Sequence, residues 1–210
     1  MKQIFFPSMS ILPSIPNIYR ALGYAQKKTQ LADVLHKDMD RYIEEARAII
    51  TLKGVCRREP VSTITGAEIL LKNKIAFKSR ALAKFLKGST QVFLFGATAG
   101  PAIMEAIVKK TDEKDLTRAV VYDAVAGEMV DAALAWIGQY VGLQLRRSNL
   151  FLDPRRFSAG YGDFGVENQR VFWEQLDLKE LGVSITETCF LVPEKSVTAI
   201  SGIRANRRNS

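Results

Sequence analysis

The sequence contains very little of the chemistry that metal sites and hydrolytic active sites require. Among its 210 residues there are two cysteines and one histidine. Cys56 and Cys189 are far apart, and neither has a second thiol or a histidine at a spacing suited to a shared metal ion. A zinc site is therefore not expected, and any catalytic set of the Cys-His or Ser-His-Asp type would have to converge on His36. Cys189 lies in an apolar run and is expected to be buried, whereas Arg57 and Arg58 would favour a lowered pKa for the Cys56 thiol.

Long apolar runs are absent as well. The apolar stretch 92–104 is interrupted by Gly96, Gly100 and Pro101 and is too short to span a bilayer. The first residues, 1–16, are apolar but contain three prolines, which suits an arm packed along the surface better than a secretory signal. The sequence therefore predicts no membrane partner and a cytoplasmic location.

The composition is that of a globular protein with a basic surface. Hydrophobic residues make up 47% of the chain, which is enough for a buried interior. We therefore expect one domain over 1–210, or two small lobes sharing a core, with an N-terminal arm (1–16) and a basic tail (204–210). The net charge of +8 favours an acidic protein or phosphate groups as a partner. Nucleic acid is not expected, because the basic residues form small clusters without interleaved aromatics. These clusters are Arg57-Arg58, Arg146-Arg147, Arg155-Arg156 and Arg207-Arg208.

Periodicity and turn residues predict a mixture of helices and short strands. Helices are expected over 33–50, from a Ser79 cap to Gly88, from Pro101 to Lys110, over 115–141 and over about 167–181. Strands are expected over 61–65, 67–71, 74–77, 92–95, 184–192 and 197–203, with the last two joined as a hairpin by 193–196. Because strands and helices are grouped instead of strictly alternating, the sequence predicts an α+β fold.

The segment 156–163 has the composition of a small-ligand site. Arg156 offers a fork of donors that matches a carboxylate, and Gly160 and Gly162 flank Tyr161, so the backbone can approach a ligand closely. A Gly-Tyr-Gly sequence is also an ordinary turn, and an arginine before a turn is often only solvated. On spacing alone, both interpretations stay open.

A nucleotide-binding unit is an alternative near the middle of the chain. A strand ending at Phe95, the turn 96–100, a helix and the run 119–123 would form a β-α-β unit with Asp123 on a ribose hydroxyl. Such a fold would indicate a conventional methyltransferase or dehydrogenase. The Gly-x-x-x-Gly spacing, the lack of further regular β-α units and the helical periodicity that follows Asp123 argue against it.

Several motifs occur together in one order. They are Arg156-x-x-x-Gly160-Tyr161, Trp173-Glu174-x-Leu176, Leu181-Gly182-Val183-x-Ile185-Thr186-Glu187-Thr188 and Pro193-x-x-Ser196-Val197, preceded upstream by Tyr19 to Tyr24, Leu82 to Gly88, Ala97-Thr98-x-Gly100 and Asp123 to Asp131. This set resembles the reactivation domain of cobalamin-dependent methionine synthase. The resemblance covers most of the chain and implies helices packed around a bent, mainly antiparallel sheet. It also implies a free-standing form of a domain that is usually fused behind catalytic and corrinoid modules.

The resemblance implies a role in methyl transfer. Domains of that family bind S-adenosylmethionine and present its methyl group to a reduced corrinoid, which rescues cobalamin oxidised to the inactive cob(II) state. The expected partners are a cobalamin-binding methionine synthase subunit or another corrinoid protein, and a flavodoxin or ferredoxin reductant. The basic surface suits an acidic reductant. The chain would be a component of a methyltransferase that positions the ligand, with no catalytic residue of its own.

The resemblance also assigns residues to the ligand. The predicted binding residues are Arg156, Phe157, Ser158, Gly160, Tyr161 and Asp131. Arg156 matches the arginine that binds the carboxylate, and the chain just after it would supply backbone groups near the adenine. Asp131, on the long helix, would hold the ammonium or attract the positive charge of the sulfonium.

Three departures from the family pattern bear on ligand binding. The family has a proline and a Cys-Pro segment where this chain has 162–165, and it continues beyond the equivalent of Ile203 with a ligand-binding tyrosine. Its N-terminal Asp-Trp-Thr-Pro segment also has no counterpart here. These departures leave an alternative, a corrinoid-protein docking module without a ligand, in which Arg156 is only a surface charge.

Overall fold

The computed structural model describes residues 3–24 and 33–205, with the side chains of 33–36 left out. Its strands are β1 (Gln3–Phe6), β2 (Lys53–Ile64), β3 (Glu68–Leu71), β4 (Ala76–Lys78), β5 (Gln91–Thr98), β6 (Leu150–Leu152), β7 (Ser184–Ile185), β8 (Leu191–Val192) and β9 (Ser196–Ala205). Its α-helices are α1 (Ile15–Ala21), α2 (Asp33–Ile49), α3 (Arg80–Phe85), α4 (Pro101–Asp112), α5 (Leu116–Arg146) and α6 (Gln169–Gln175). Two 3-10 helices, Val166–Asn168 and Leu178–Leu181, flank α6.

The main sheet is antiparallel and bent. Its strand order is β4-β3-β2-β5-β9-β6, and β1 pairs with the first half of β2. The long strand β2 pairs with β5 through residues 53–60 and with β3 through residues 61–64. A register shift lies between Val61 and Thr63, and such irregularities bend a strand. The predicted α+β fold, with helices around a curled and mainly antiparallel sheet, is confirmed.

Each face of this sheet carries its own hydrophobic core, because successive side chains of a strand point to opposite faces. In β5, Phe93 and Phe95 belong to a first core, whereas Val92 and Leu94 belong to a second. The first core packs the sheet against α1, α2, α4 and α5, and the second packs it against α3, α6 and the 3-10 helix Leu178–Leu181. The two cores share one sheet as their common layer.

The helices largely follow their local signals. The α2, α4 and α5 predictions are confirmed, and α3 begins at its predicted cap, where the N–H of Leu82 donates to Ser79 Oγ at 2.9 Å. The helix expected over 167–181 is divided into α6 and the two 3-10 helices.

Four predictions that concern strands or their connections differ from the structure. Residues 184–192 are not one strand, since β7 and β8 form a small sheet of their own, and β9 pairs with β5 and β6 instead of forming the predicted hairpin. The run 119–123 lies inside α5, and β5 continues to Thr98 in an antiparallel sheet, so the nucleotide-binding alternative is wrong. Within the expected N-terminal arm, Gln3–Phe6 is a strand of the sheet.

The two cysteines also differ from expectation. Cys56 is buried, and burial raises the pKa of its thiol to about 12, so the lowered pKa expected from Arg57 and Arg58 is wrong. Cys189 is partly exposed in a turn, with a φ of +65°, and is not the buried strand residue that the sequence predicted. The side chain of His36 and the tail residues 206–210 lie outside the described residues.

Within 3–24 and 33–205, no helix combines the length and apolar character needed to cross a membrane.

Candidate ligand-binding site

The segment 153–157 continues from β6 along the edge of β9. The N–H of Asp153 donates to the carbonyl of Gly202 (2.9 Å), and Phe157 and Ile200 exchange both backbone hydrogen bonds (2.9 and 2.8 Å). Leu152 pairs with Ile203 and Phe157 pairs with Ile200, so the longer run 152–157 bulges opposite the shorter run 200–203 of β9. Arg156 and Phe157 nevertheless lie on different sides of the sheet. The Phe157 ring packs with the second core, whereas Arg156 lies on the side of α5.

Arg156 lines a cavity of about 430 Å³ between α5 and the edge of the sheet. Three small residues of α5, Ala135, Gly138 and Gly142, open this side of the helix, and a Cβ at Gly138 would lie 3.9 Å from Leu152 Cδ2. The volume lies within the range of small-molecule sites. The structure therefore joins the predicted arginine and the long helix in one concave space.

The lining of the cavity also has an apolar part. Phe95 and Leu134 are buried at its base, and Leu143 and Phe151 lie at its surface with 62% and 51% of their area exposed. Large exposed apolar side chains beside a cavity provide contact area for a ligand. Leu143 and Phe151 therefore offer exposed apolar surface at the edge of the cavity.

The charged part of the lining consists of Arg146, Arg156 and Asp153. Asp153 is already paired: its carboxylate accepts two hydrogen bonds from the Arg155 guanidinium, at 3.0 and 2.7 Å, and Arg204 lies 3.7 Å away. The hydrogen bond from Arg155 holds the pKa of Asp153 below its usual range. Among the residues that the structure describes, neither the Arg146 nor the Arg156 guanidinium has a hydrogen bond or an ion pair, so both groups are available to a ligand.

The glycine-rich turn does not line this cavity. Gly160 and Gly162 have φ values of +92° and +57°, which explains why glycine occupies both positions. Ser158 and Tyr161 line a different groove, of about 550 Å³, together with Phe190. Tyr161 and Phe190 are 57% and 62% exposed, so this groove has two aromatic rings at its surface. The structure thus divides the predicted loop between two concave regions.

Asp131 also lies outside the cavity lining. It is an exposed residue of α5, one helical turn before Ala135. Arg146, by contrast, lines the cavity although the sequence indicated it only as half of a basic pair. A signal was present, because Gly138, Gly142 and Arg146 follow one another at four-residue intervals and therefore share one face of the helix.

No known family model matches the sequence, and no curated protein matches it either. The structure is similar to the crystal structure of the MetH reactivation domain bound to AdoHcy, with a TM-score of 0.67 over 100% of this chain and 80% of that chain. The chain shares the fold of that domain. The sequence identity is 13%, so the comparison concerns the architecture of the MetH reactivation domain. The residue roles inferred from the motifs stay predictions.

Proposed function

We propose that the chain binds S-adenosylmethionine in the cavity at Arg156 and supports the reductive methylation of a corrinoid on a separate protein. That protein would be a cobalamin-dependent methionine synthase or a related corrinoid protein. One observation carries the proposal: a cavity of small-molecule size joins Arg156 to α5 within a fold shared with a domain that was crystallised with AdoHcy.

The lining residues fit the parts of such a ligand. The guanidinium of Arg156 would hold the carboxylate in a charge-assisted contact, and the exposed faces of Leu143 and Phe151 would contact the adenine. S-adenosylmethionine supplies an already activated methyl group when bound. The chain would therefore bind and orient the ligand without a general acid or base.

The proposal includes two protein partners, a corrinoid protein and an acidic flavodoxin or ferredoxin as the reductant. The net charge of +8 supports an acidic partner, because complementary charge accelerates and orients association. Exposed Tyr161 and Phe190, beside the Arg156 segment, offer apolar surface that a docking protein could cover.

Calorimetric titration with S-adenosylmethionine tests ligand binding. We expect wild type to bind and Arg156→Ala to bind at least about tenfold more weakly, because a charge-assisted hydrogen bond contributes about 1.5 to 3 kcal/mol. Arg147→Ala is the matched control, since it removes the same charge from an exposed residue outside the cavity lining. Absence of heat with wild type, or equal losses in the two variants, would contradict the proposal.

A corrinoid-docking module without a ligand is the second candidate. It is favoured by the positions of Asp131 and Tyr161, two predicted ligand residues that lie outside the cavity at Arg156. Capture of a corrinoid protein by wild type and by Arg156→Ala, combined with no calorimetric signal for S-adenosylmethionine, would support this candidate over the first.

A further inference from the structure

The cavity at Arg156 is lined by more positive than negative charge that is free to meet a ligand. Two guanidinium groups, those of Arg146 and Arg156, line it without a partner in the described part of the chain. The one carboxylate in the lining, that of Asp153, is already held by Arg155 and Arg204. Asp131, which could offset a positive charge, lies outside the lining.

We infer that this cavity selects its adenosyl ligand by charge, and that Arg146 makes it favour the uncharged thioether of S-adenosylhomocysteine over the sulfonium of S-adenosylmethionine. The inference rests on the proposed function, because it concerns the same cavity. It adds a specificity-determining residue and a preferred ligand class to that site.

The two ligands isolate the effect of one charge. Both have the same carboxylate, ammonium and adenosine, and they differ by a methyl group and the positive charge on sulfur. In either complex the shared carboxylate pairs with Arg156 and neutralises it. Arg146 then has no carboxylate to pair with. It repels the ammonium of both ligands alike, and only the sulfonium of S-adenosylmethionine adds a further repulsion.

The dimensions of the cavity make this repulsion effective. A cavity of about 430 Å³ is roughly 10 Å across, which is close to the Debye length at physiological ionic strength, so salt screens the repulsion incompletely. At an effective dielectric constant of about 20, which is typical of charges near a protein surface, two like charges separated by the cavity width of about 10 Å change an affinity by roughly tenfold. Because Arg146 is itself exposed and the cavity is open to solvent at Leu143 and Phe151, screening reduces the effect, and we expect a preference of at most about tenfold.

Such a preference has a consequence for turnover. Loss of the methyl group converts the sulfonium into the thioether, so the demethylated product would remain in the cavity and compete with fresh donor. Ligand exchange would then depend on the ratio of the two compounds around the protein.

Titration of both ligands into three proteins tests the inference. Calorimetry with S-adenosylhomocysteine and S-adenosylmethionine is carried out on wild type, Arg146→Gln and the matched control Arg147→Gln. We expect wild type to bind the thioether up to about tenfold more tightly, Arg146→Gln to bring the ratio close to one, and Arg147→Gln to keep it. The ratio in wild type should also fall as salt is added.

The outcomes separate this inference from the proposed function. If wild type binds both ligands equally, or binds the sulfonium more tightly, the charge selection is wrong while adenosyl binding stands. If Arg146→Gln and Arg147→Gln change the ratio by the same factor, Arg146 is not the selecting residue. If neither ligand binds wild type, both proposals are overturned. The additional methyl group is present in every comparison, so its bulk cannot account for a change in ratio between variants.

Discussion

Asp163 connects the glycine-rich turn to the start of α3. Its carboxylate accepts hydrogen bonds from the Ser79 hydroxyl (2.5 Å) and from the N–H groups of Arg80 (2.8 Å) and Ala81 (3.1 Å). The hydrogen bond from Ser79 is the main cause of a pKa for Asp163 below the ordinary value of 3.8. One side chain thus caps a helix and fixes the end of the segment that begins at Arg156.

We predict that Asp163→Asn lowers the melting temperature at neutral pH. A carboxyl group whose pKa is lowered on folding stabilises the protein above its unfolded pKa, and this stabilisation is lost as the pH falls through the folded pKa. The difference between wild type and Asp163→Asn should therefore shrink below about pH 4, as followed by thermal melts from pH 7 to pH 3. Asp112→Asn, at an exposed carboxylate of α4, is the control. A difference that stays constant over this range would contradict the prediction.

The sequence does not predict the role of Asp163, although it does predict the two features that Asp163 connects. Local residue types predict a helix cap at Ser79 and a glycine-rich turn within 156–163. The contact between them joins residues that are 84 positions apart, which no local pattern reports. The same reason applies to Arg146, whose place in the cavity depends on the meeting of a helix end with the segment after β6.

At the scale of elements, β5 and the 3-10 helix Leu178–Leu181 approach each other very closely. A Cβ at Gly96 would lie 2.7 Å from Leu178 Cδ2 and 3.3 Å from Leu176 Cδ1, so an added methyl group would force the buried Leu178 side chain to shift. The contact brings the centre of the sheet against the connection between α6 and β7.

We predict that Gly96→Ala destabilises the protein by about 1 to 3 kcal/mol, because inserting a methyl group into a packed interior forces side chains or backbone to shift. Gly66→Ala is the matched control, since nothing lies within 4 Å of a Cβ at Gly66. Urea unfolding should show a lower midpoint for Gly96→Ala than for Gly66→Ala. Equal midpoints for the two variants would contradict this description of the packing.

The elements that the sequence predicted are those with local signals. The helix α2 has apolar residues at helical spacing, and α4 begins at a proline. The first half of β2, residues 53–60, was missed because glycine, charged residues and Pro60 interrupt any alternating apolar pattern. Pairing with β1 on one side and β5 on the other makes it a strand. The partner of β9 is likewise set by a pairing with β5, about a hundred residues earlier.

At the scale of the whole molecule, the two cores are coupled through the sheet that they share. Leu94 contributes to the second core and the next residue, Phe95, to the first. Loss of order in β5 therefore exposes both cores at once. The fluorescence of two tryptophans can follow the two faces of the sheet separately. Trp173 packs against the second core, and Trp136 lies on α5 beside Phe6, which packs against the first core.

We predict that the chain unfolds in one transition. Leu94→Ala should lower its stability by about 2 to 5 kcal/mol and Phe95→Ala by about 3 to 5 kcal/mol, with neither change producing a second transition. Urea unfolding followed by far-UV circular dichroism and by the fluorescence of Trp136→Phe and Trp173→Phe variants checks this. Separate midpoints for the two fluorescence signals would show that the cores unfold independently.

The two pairings that flank Arg156 have a consequence for ligand recognition. Leu152 pairs with Ile203 and Phe157 pairs with Ile200, so the run between them bulges from the edge of β9. The anchored Phe157 ring packs with the second core, while Arg156 lines the cavity on the other side. Recognition of a carboxylate would therefore require both backbone anchors as well as the arginine.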